Sequence, residues 1–166
     1  RGAPFRTGDE NGTLNAFNHA HLNIGWPGEE HNPLHFRLPQ FEDTIAPSIA
    51  GVTLFDEYGT PLTRRAGRRL PVWGRVRIVV DAWDQADGNL ARRRLGLYAL
   101  GYQVLGADGT PAPGFESPRE TIVFDRLGPD NRAADVVFAE GSGIPVYGSR
   151  STRFLYNVTN TFRGGF

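Results

Sequence analysis

The sequence of 166 residues contains no cysteine, which excludes disulfide bridges, thiolate zinc sites and thiol catalysis. It has no excess charge of either sign, because 18 basic residues, all of them arginine, are matched by 18 acidic ones. A net charge of zero argues against a nucleic-acid partner or an anionic membrane surface, since both favour a strong basic excess. No apolar run approaches the roughly 20 residues of a membrane helix, so we expect no membrane span. Methionine is also absent, and with its start at Arg1 we interpret the chain as a processed product or a fragment.

The residues that are present predict an all-β protein. A hydrophobic share of 39% is enough to build a core, while 21 glycines and 12 prolines divide the sequence into short apolar runs. One short helix is predicted over residues 129–138, and the sequence shows no evident internal repeat. The predicted strands, which have period-two or β-branched character, are residues 16–24, 49–55, 75–83, 97–105, 120–124 and 153–158.

A domain boundary is predicted near residues 38–48. Prolines and acidic residues interrupt the regular pattern there, and the strand series restarts at Ile49. Because proline fixes φ and removes a hydrogen-bond donor, this stretch should be an extended connector. We therefore divide the chain into a first unit of residues 1–40 and a β domain of residues 41–166.

The sharpest motif alternates polar and apolar residues from Asn18 to Ile24. On a strand, the side chains of His19, His21 and Asn23 would share one face, opposite a set of apolar side chains. Two imidazoles on one face suit a zinc site, in which one binds the metal and the other faces the substrate or the metal-bound water. The alternative is a pair of half-exposed strand histidines without a ligand.

The surroundings of this motif carry a family resemblance. A Gly-Asp-x-x-Gly turn begins at Gly8, the His-x-His strand follows, and a loop then ends in Asn32-Pro33. In this order, residues 3–36 resemble the C-terminal edge of a lysostaphin-type (LytM-type) zinc endopeptidase. The sequence departs from the family pattern after the second histidine, where Leu22 and Asn23 replace the usual Phe and acidic residue.

The resemblance implies a set of roles. His21 would be a zinc ligand and His19 the catalytic histidine that helps activate the attacking water. The cofactor would be Zn²⁺, the substrates would be peptides of bacterial peptidoglycan, and the location would be extracytoplasmic: periplasm, cell envelope or secreted. The family's other ligand motif, His-x-x-x-Asp, is absent, so the chain supplies at most one of three protein ligands and should not be catalytic alone.

Other candidate sites have plainer interpretations. His31 and His35 are four residues apart, but Pro33 between them should break a helix, so a solvated loop is expected. The arginine clusters are most simply solvated loops. Three carboxylates near residues 81–88 suggest a calcium loop, although a strand end with a capped turn explains them better: Asp81, Asp84 and Asp87.

The second unit is similar to an immunoglobulin-like sandwich of the kind that follows secreted bacterial hydrolases. Residues 75–82 alternate, which indicates one buried and one more exposed face. Residues 108–152 read as an insertion, and closing strands are expected beyond Phe166. The candidate core aromatics are Phe55, Trp83 and Tyr98, with Trp73 as an alternative.

Two functions therefore compete, beside a plain extracellular β domain without a ligand. The first is a portion of a zinc-dependent peptidoglycan endopeptidase with an accessory β-sandwich, incomplete for catalysis. The second is a non-catalytic, secreted β-sandwich module that binds cell-wall material or acts as a spacer, with a degenerate histidine pair.

Overall fold

The strands and the helix have the following bounds in a computed structural model, which describes residues 23–36, 42–63, 70–91, 93–128, 132–143, 153–160 and 162–163. The elements in chain order are a 3-10 helix Pro33–Phe36, β1 Ser48–Phe55, β2 Arg77–Trp83, β3 Ala99–Tyr102, β4 Arg119–Val123, α1 Arg132–Val137, β5 Leu155–Asn157 and β6 Phe162–Arg163. Mostly antiparallel strands with little helix confirm the all-β class.

Most elements begin and end within three residues of the predicted bounds. The strand predicted over residues 97–105 is the most shortened of them, because only β3 pairs with β4. Beyond Tyr102 the chain leaves that pairing and forms its own hairpin, in which Leu105 is bridged to Pro111. Residues 16–22 of the first predicted strand lie outside the described residues, so its prediction is untested.

The strands form two three-stranded sheets, in the orders β1-β2-β5 and β3-β4-β6. All described strand pairs are antiparallel except β4 with β6. The second face of β2, expected to be more exposed, is also buried at Val79 and Asp81. On that face Asp81 is paired with Arg153 at 2.8 Å, so the expected contrast between the two faces of β2 is lost.

A bulge in β1 changes the face of the sheet on which the side chains of this edge strand lie. Ile49 is paired with Ala82 and Val52 with Val80, although three residues separate the first pair from the second along β1 and only two along β2. The extra residue puts Ile49 and Val52 on the same face as the buried Val80 and Ala82. Both nevertheless remain exposed, at 63% and 58%.

The core draws side chains from both sheets and from α1. Tyr156 and Ile122 are fully buried and lie in one cluster with Val80 of β2 and Val137 of α1. The prediction that residues 108–152 are an insertion is therefore wrong. That segment supplies β4 and α1, whose apolar side chains complete the core that β2 and β5 begin.

The predicted core aromatics are also corrected. Tyr98 is 44% exposed and Trp73 is 81% exposed, while Trp83 is half-buried beneath the guanidinium of Arg94, 3.9 Å from its ring centroid. The aromatic ring at the centre is that of Tyr156, 5.1 Å from the ring of Phe138. Tyr98 and Trp73 were expected in the core, but their side chains lie at the surface instead.

Burial of Tyr156 predicts a loss of stability in alkali. Burial raises the pKa of its phenol from 10.0 to about 12, although the hydrogen bond from the Leu97 N–H opposes this effect. The unfolded chain therefore releases this proton first, and the free energy of unfolding should fall between about pH 10 and pH 12, by roughly 2–3 kcal/mol. Denaturant midpoints measured across this range would show the fall.

The matched variant for that experiment is Tyr156→Phe, which has no phenol to titrate. Its midpoint should be lower at neutral pH but should change less between pH 10 and pH 12 than that of the parent chain. An equal alkaline fall in both proteins would contradict the assignment to Tyr156.

Candidate functional site

The histidines predicted to form the zinc site, His19 and His21, lie outside the described residues, so their roles stay predictions. The described chain begins at Asn23, so only the last two residues of the predicted motif, Asn23 and Ile24, are described. Within the described ranges, no group of three or more His, Asp or Glu side chains is placed to hold a metal ion. The described part of the chain therefore supplies no metal centre of its own.

The segment that follows the predicted zinc strand is bonded to the end of β4. His31 forms bridges to both Ile24 and Arg126. The Asn32 N–H donates to the Asp125 carbonyl at 2.9 Å, and the Leu127 N–H donates to the Glu30 carbonyl at 2.7 Å. These backbone bonds cross the predicted boundary at residues 40 and 41, while the division itself stays a prediction.

Asn32 strengthens the same attachment through its side chain. Its amide nitrogen donates to the Phe124 carbonyl at 3.0 Å, and its amide oxygen accepts from the Leu34 N–H at 3.0 Å. The second bond caps the 3-10 helix that begins at Pro33, a position where proline is tolerated because the N–H is not needed there. Residues 33–36 thus form a single 3-10 turn within the segment expected to be a solvated loop, and His31 and His35 are both exposed, as that expectation requires.

His35 makes one further contact across this junction. Its Nε2 lies 2.9 Å from the hydroxyl of Tyr98, just before β3. His31 and His35 therefore do not converge on a common point: one lies in the bridged segment and the other contacts a tyrosine. The pair behaves as a structural attachment rather than as a set of ligands.

The acidic residues of the suspected calcium loop are bonded elsewhere. Asp81 forms a salt bridge with Arg153 at 2.8 Å, and its carboxylate is largely buried. Asp87 accepts hydrogen bonds from the backbone N–H and the hydroxyl of Thr44, at 2.6 and 3.1 Å. Asp84 accepts from the Gln85 N–H at 2.8 Å. Since the three carboxylates have separate partners, the strand end with a turn is the better description, and Asp87 ties the described part of the connector to the β2–β3 loop.

A tight hairpin after β1 places Tyr58 at the surface. The Asp56 side chain accepts from the N–H groups of Tyr58 and Thr60, at 2.9 and 2.8 Å. Gly59 follows with φ of +80°, a conformation that glycine adopts without strain. Because the turn is closed by these bonds and by the bridge from Phe55 to Pro61, the Tyr58 side chain is left 85% exposed at its tip.

Trp73 approaches the same region from the segment that leads into β2. It is 81% exposed and precedes Gly74, whose φ is +72°. Tyr58 and Trp73 line one cleft of about 170 Å³. A second cleft of about 530 Å³ adjoins the first. The two clefts share four lining residues: Asp56, Glu57, Tyr58 and Arg75. An elongated ligand could therefore lie across both.

Among the residues that the structure describes, the charges lining these two clefts balance. Asp56 and Glu57 supply two carboxylates, and Arg75 and Arg77 supply two guanidinium groups. Arg77 lies over the ring of Phe55, with 4.7 Å from its guanidinium carbon to the ring centroid. The lining thus offers hydrogen-bond donors and acceptors beside two aromatic rings, without a net charge.

A second hairpin repeats the backbone of the first. The Gly109 N–H donates to the Gly106 carbonyl at 3.0 Å, as the Gly59 N–H donates to the Asp56 carbonyl at 3.1 Å. Each hairpin contains Gly-Thr-Pro, at residues 59–61 and 109–111. Each proline is bridged to the residue immediately before the turn, which is Phe55 in the first hairpin and Leu105 in the second. The structure thus contains a short internal repeat that the sequence analysis missed, although the repeated tripeptide was its signal.

The tips of the two hairpins differ. The position that corresponds to Tyr58 is Asp108, whose carboxylate accepts from the N–H and the hydroxyl of Thr110 at 3.0 and 2.7 Å. These bonds lower the pKa of the Asp108 carboxyl, the hydroxyl having the largest effect. Because the same turn forms with aspartate at its tip, the turn does not require the Tyr58 ring.

A larger cleft of about 1000 Å³ lies beside the β3–β4 connection. Its charged groups already have partners within the loop. The Arg119 guanidinium donates twice to the Gly114 carbonyl, at 3.1 and 2.7 Å, and lies over the Phe115 ring. Backbone N–H groups of Glu116 itself and of Gly114 lower the pKa of the Glu116 carboxyl. These side chains hold the loop, so this cleft is a weaker candidate than the one at Tyr58 and Trp73.

Comparison of the chain with protein-family models, with curated proteins and with solved structures found no match. Among the described residues, no helix has the length and apolar character needed to cross a bilayer. The site must therefore be interpreted from its own geometry.

Proposed function

We propose that the chain is a portion of a zinc-dependent peptidoglycan endopeptidase of the lysostaphin type. In this proposal, residues 1–40 supply the last edge of the peptidase sheet, and residues 41–166 form an accessory immunoglobulin-like β-sandwich. The chain would act on the cell wall outside the bacterial cytoplasm, and it would hold substrate rather than cleave it alone.

The observation that supports this proposal is the attachment of residues 24–36 to the end of β4. The loop directly after the predicted His-x-His strand is bonded on both sides of His31, at Glu30 and Asn32, to residues 124–127. An accessory domain bonded at this point would keep the peptidase edge and the β domain next to each other. Substrate held by one would then lie near the other, which raises its local concentration.

Zinc has no fitting ligand set among the described residues. The proposal places its one family ligand at His21, which lies outside them, and we derive no catalytic step through the metal. In this proposal, the described residues contribute substrate binding and the attachment of the two units.

Zinc binding by the chain should be weak and should depend on His21. A catalytic zinc is normally held by three protein ligands, and each missing ligand is replaced by water. We expect His21→Ala to reduce zinc affinity by about tenfold or more, whereas His19→Ala should have a smaller effect. Competition with a chromogenic chelator would measure both affinities.

The matched control is His31→Ala, because His31 is an exposed histidine of the bridged segment. It should leave the zinc affinity of the chain unchanged. If His21→Ala retains full affinity, or if His31→Ala loses as much, the family assignment of the strand is wrong.

The second candidate is a non-catalytic module that binds cell-wall material, with His19 and His21 as remnants. The exposed pair Tyr58 and Trp73 favours it, because large exposed aromatic side chains in one cleft are typical of binding sites. Both candidates predict that the chain sediments with purified peptidoglycan. They differ in zinc dependence, since only the first predicts that the His21→Ala variant changes metal binding.

A further inference from the structure

We propose that the cleft between Tyr58 and Trp73 binds the pyranose rings of a neutral glycan chain of the N-acetylhexosamine type. This inference rests on the proposed function, because it names the component of the cell wall that the β domain recognises. It concerns a site that lies apart from the predicted histidine pair.

The two aromatic rings carry the first step of the argument. Tyr58 and Trp73 are 85% and 81% exposed, yet they line the same cleft. Exposed aromatic rings combine a large apolar face with a polar edge, so they favour partners that are themselves partly apolar and partly polar. A pyranose ring has this character, since its C–H groups form an apolar face and its hydroxyls lie around the rim.

The second hairpin shows that this turn forms without a tyrosine at the position of Tyr58. The turn of residues 106–110 has the same backbone hydrogen bonds as the turn of residues 56–60, with Asp108 at the corresponding tip. A solvent-exposed tyrosine therefore contributes nothing that this turn needs. Its presence at the tip is explained by what it contacts outside the chain.

The polar lining suits a neutral ligand. Two carboxylates and two guanidinium groups line the adjoining clefts, so the described lining has no net charge that would attract a polyanion or a polycation. Among the described residues, no hydrogen bond engages the side chain of Glu57 or Arg75, whereas the Asp56 carboxylate holds the turn. Glu57 and Arg75 therefore provide an acceptor and donors for hydroxyl and amide groups.

The shape of the site suits a chain rather than a single sugar. The clefts of about 170 and 530 Å³ share the wall formed by Tyr58 and Arg75. Ligand sites commonly enclose about 300–1,000 Å³. The larger cleft alone falls in that range, and a ligand of two or more linked rings would extend from it past Tyr58 to Trp73.

The test uses the whole chain and a soluble probe, the β-1,4-linked tetramer of N-acetylglucosamine, with affinity measured by calorimetry. We expect Tyr58→Asp and Trp73→Ala each to weaken binding roughly tenfold or more. Tyr58→Asp takes its residue from the tip of the second hairpin, so it keeps the turn and the test remains valid if Trp73→Ala fails to fold.

The matched control is Trp26→Ala, because Trp26 is 79% exposed but does not line either cleft. It should bind the tetramer within about twofold of the parent chain, since a surface aromatic residue outside the site contributes little. Absence of tetramer binding by the parent chain, or equal binding by Tyr58→Asp, Trp73→Ala and the parent, would overturn the proposal.

Sedimentation with purified peptidoglycan separates this inference from the proposed function. If the chain sediments with peptidoglycan and both cleft variants do so equally, the glycan site is wrong and the proposed function stands. If the tetramer binds in the cleft but peptidoglycan does not, the site is supported and the proposed function is wrong. If binding to peptidoglycan is lost in high salt while the tetramer does not bind, a charged component is recognised instead, and the neutral-glycan proposal fails.

Discussion

Replacement of Gly101 by alanine is expected to disrupt the pairing of β3 with β4. A Cβ atom at this position would overlap the carbonyl oxygen of Arg119 and would lie 2.8 Å from the Cα of Glu120. Both are backbone atoms of the paired strand, so the clash cannot be relieved by rotating a side chain. The register also shifts between Leu100 and Gly101, which brings the strands close at this point.

The loss should be about 3 kcal/mol in the free energy of unfolding, the upper part of the range for overpacked interiors. Folded domains are stable by only about 5–15 kcal/mol, so much of the protein's stability depends on this glycine. Urea unfolding followed by circular dichroism would measure the change.

Gly51→Ala is the matched control, because Gly51 also follows a register shift within a strand. No heavy atom lies within 4 Å of a Cβ built there, and its φ is not in the left-handed region. Alanine should therefore be neutral or should stabilise the chain by about 0.4–1 kcal/mol. Equal effects of the two alanines would show that close approach of β4 is not what requires Gly101.

Replacement of Tyr156 by alanine should have the second large effect. Tyr156 is fully buried, and its ring lies 5.1 Å from that of Phe138 and 6.4 Å from that of Phe154. Removal of a buried aromatic ring destabilises a protein by about 3–5 kcal/mol, through lost burial and the cavity that remains. The thermal midpoint and the urea midpoint should both fall.

Tyr156→Phe separates packing from hydrogen bonding. It keeps the ring but removes the hydroxyl that accepts from the buried Leu97 N–H at 2.9 Å. An unsatisfied buried N–H costs about 1–3 kcal/mol, so the loss should be smaller than with alanine. Tyr58→Ala serves as the exposed control and should change stability by less than about 0.5 kcal/mol. A small effect of Tyr156→Ala would mean that this ring is not central to the core.

The positions of the strands could be predicted because local signals mark them. Turn residues separate β-branched runs at β1, β2, β4 and β5, and those elements lie where they were expected. The end of β3 could not be predicted, because Val104 and Leu105 are as strand-like as Leu100. They pair with Pro111 and Ala112 within their own hairpin. Where β3 ends therefore depends on how far β4 pairs with it, which the local sequence does not show.

The candidate cleft was harder to predict than the fold. Tyr58 is not among the candidate residues of the sequence analysis, and Trp73 appears there only as a core alternative. Exposure of an aromatic residue depends on which distant elements cover it, and the local sequence does not show that. The attachment of residues 30–32 to residues 125–127 likewise joins parts of the chain far apart in sequence. The alternation of polar and apolar residues did not reveal the bulge in β1. The bulge adds one residue to the strand and thereby moves the Ile49 side chain to the other face of the sheet.

The two hairpins with the Gly-Thr-Pro sequence have a consequence for how this domain can change over evolutionary time. Their backbones are fixed by the glycine, the bridged proline and a carboxylate, while the tips carry tyrosine in one and aspartate in the other. In the first hairpin the carboxylate belongs to Asp56, so a mutation at the tip residue 58 is separated from selection for folding, whereas in the second the tip residue Asp108 itself holds the turn. A lineage could therefore exchange what the surface recognises at residue 58 while the scaffold beneath stays the same.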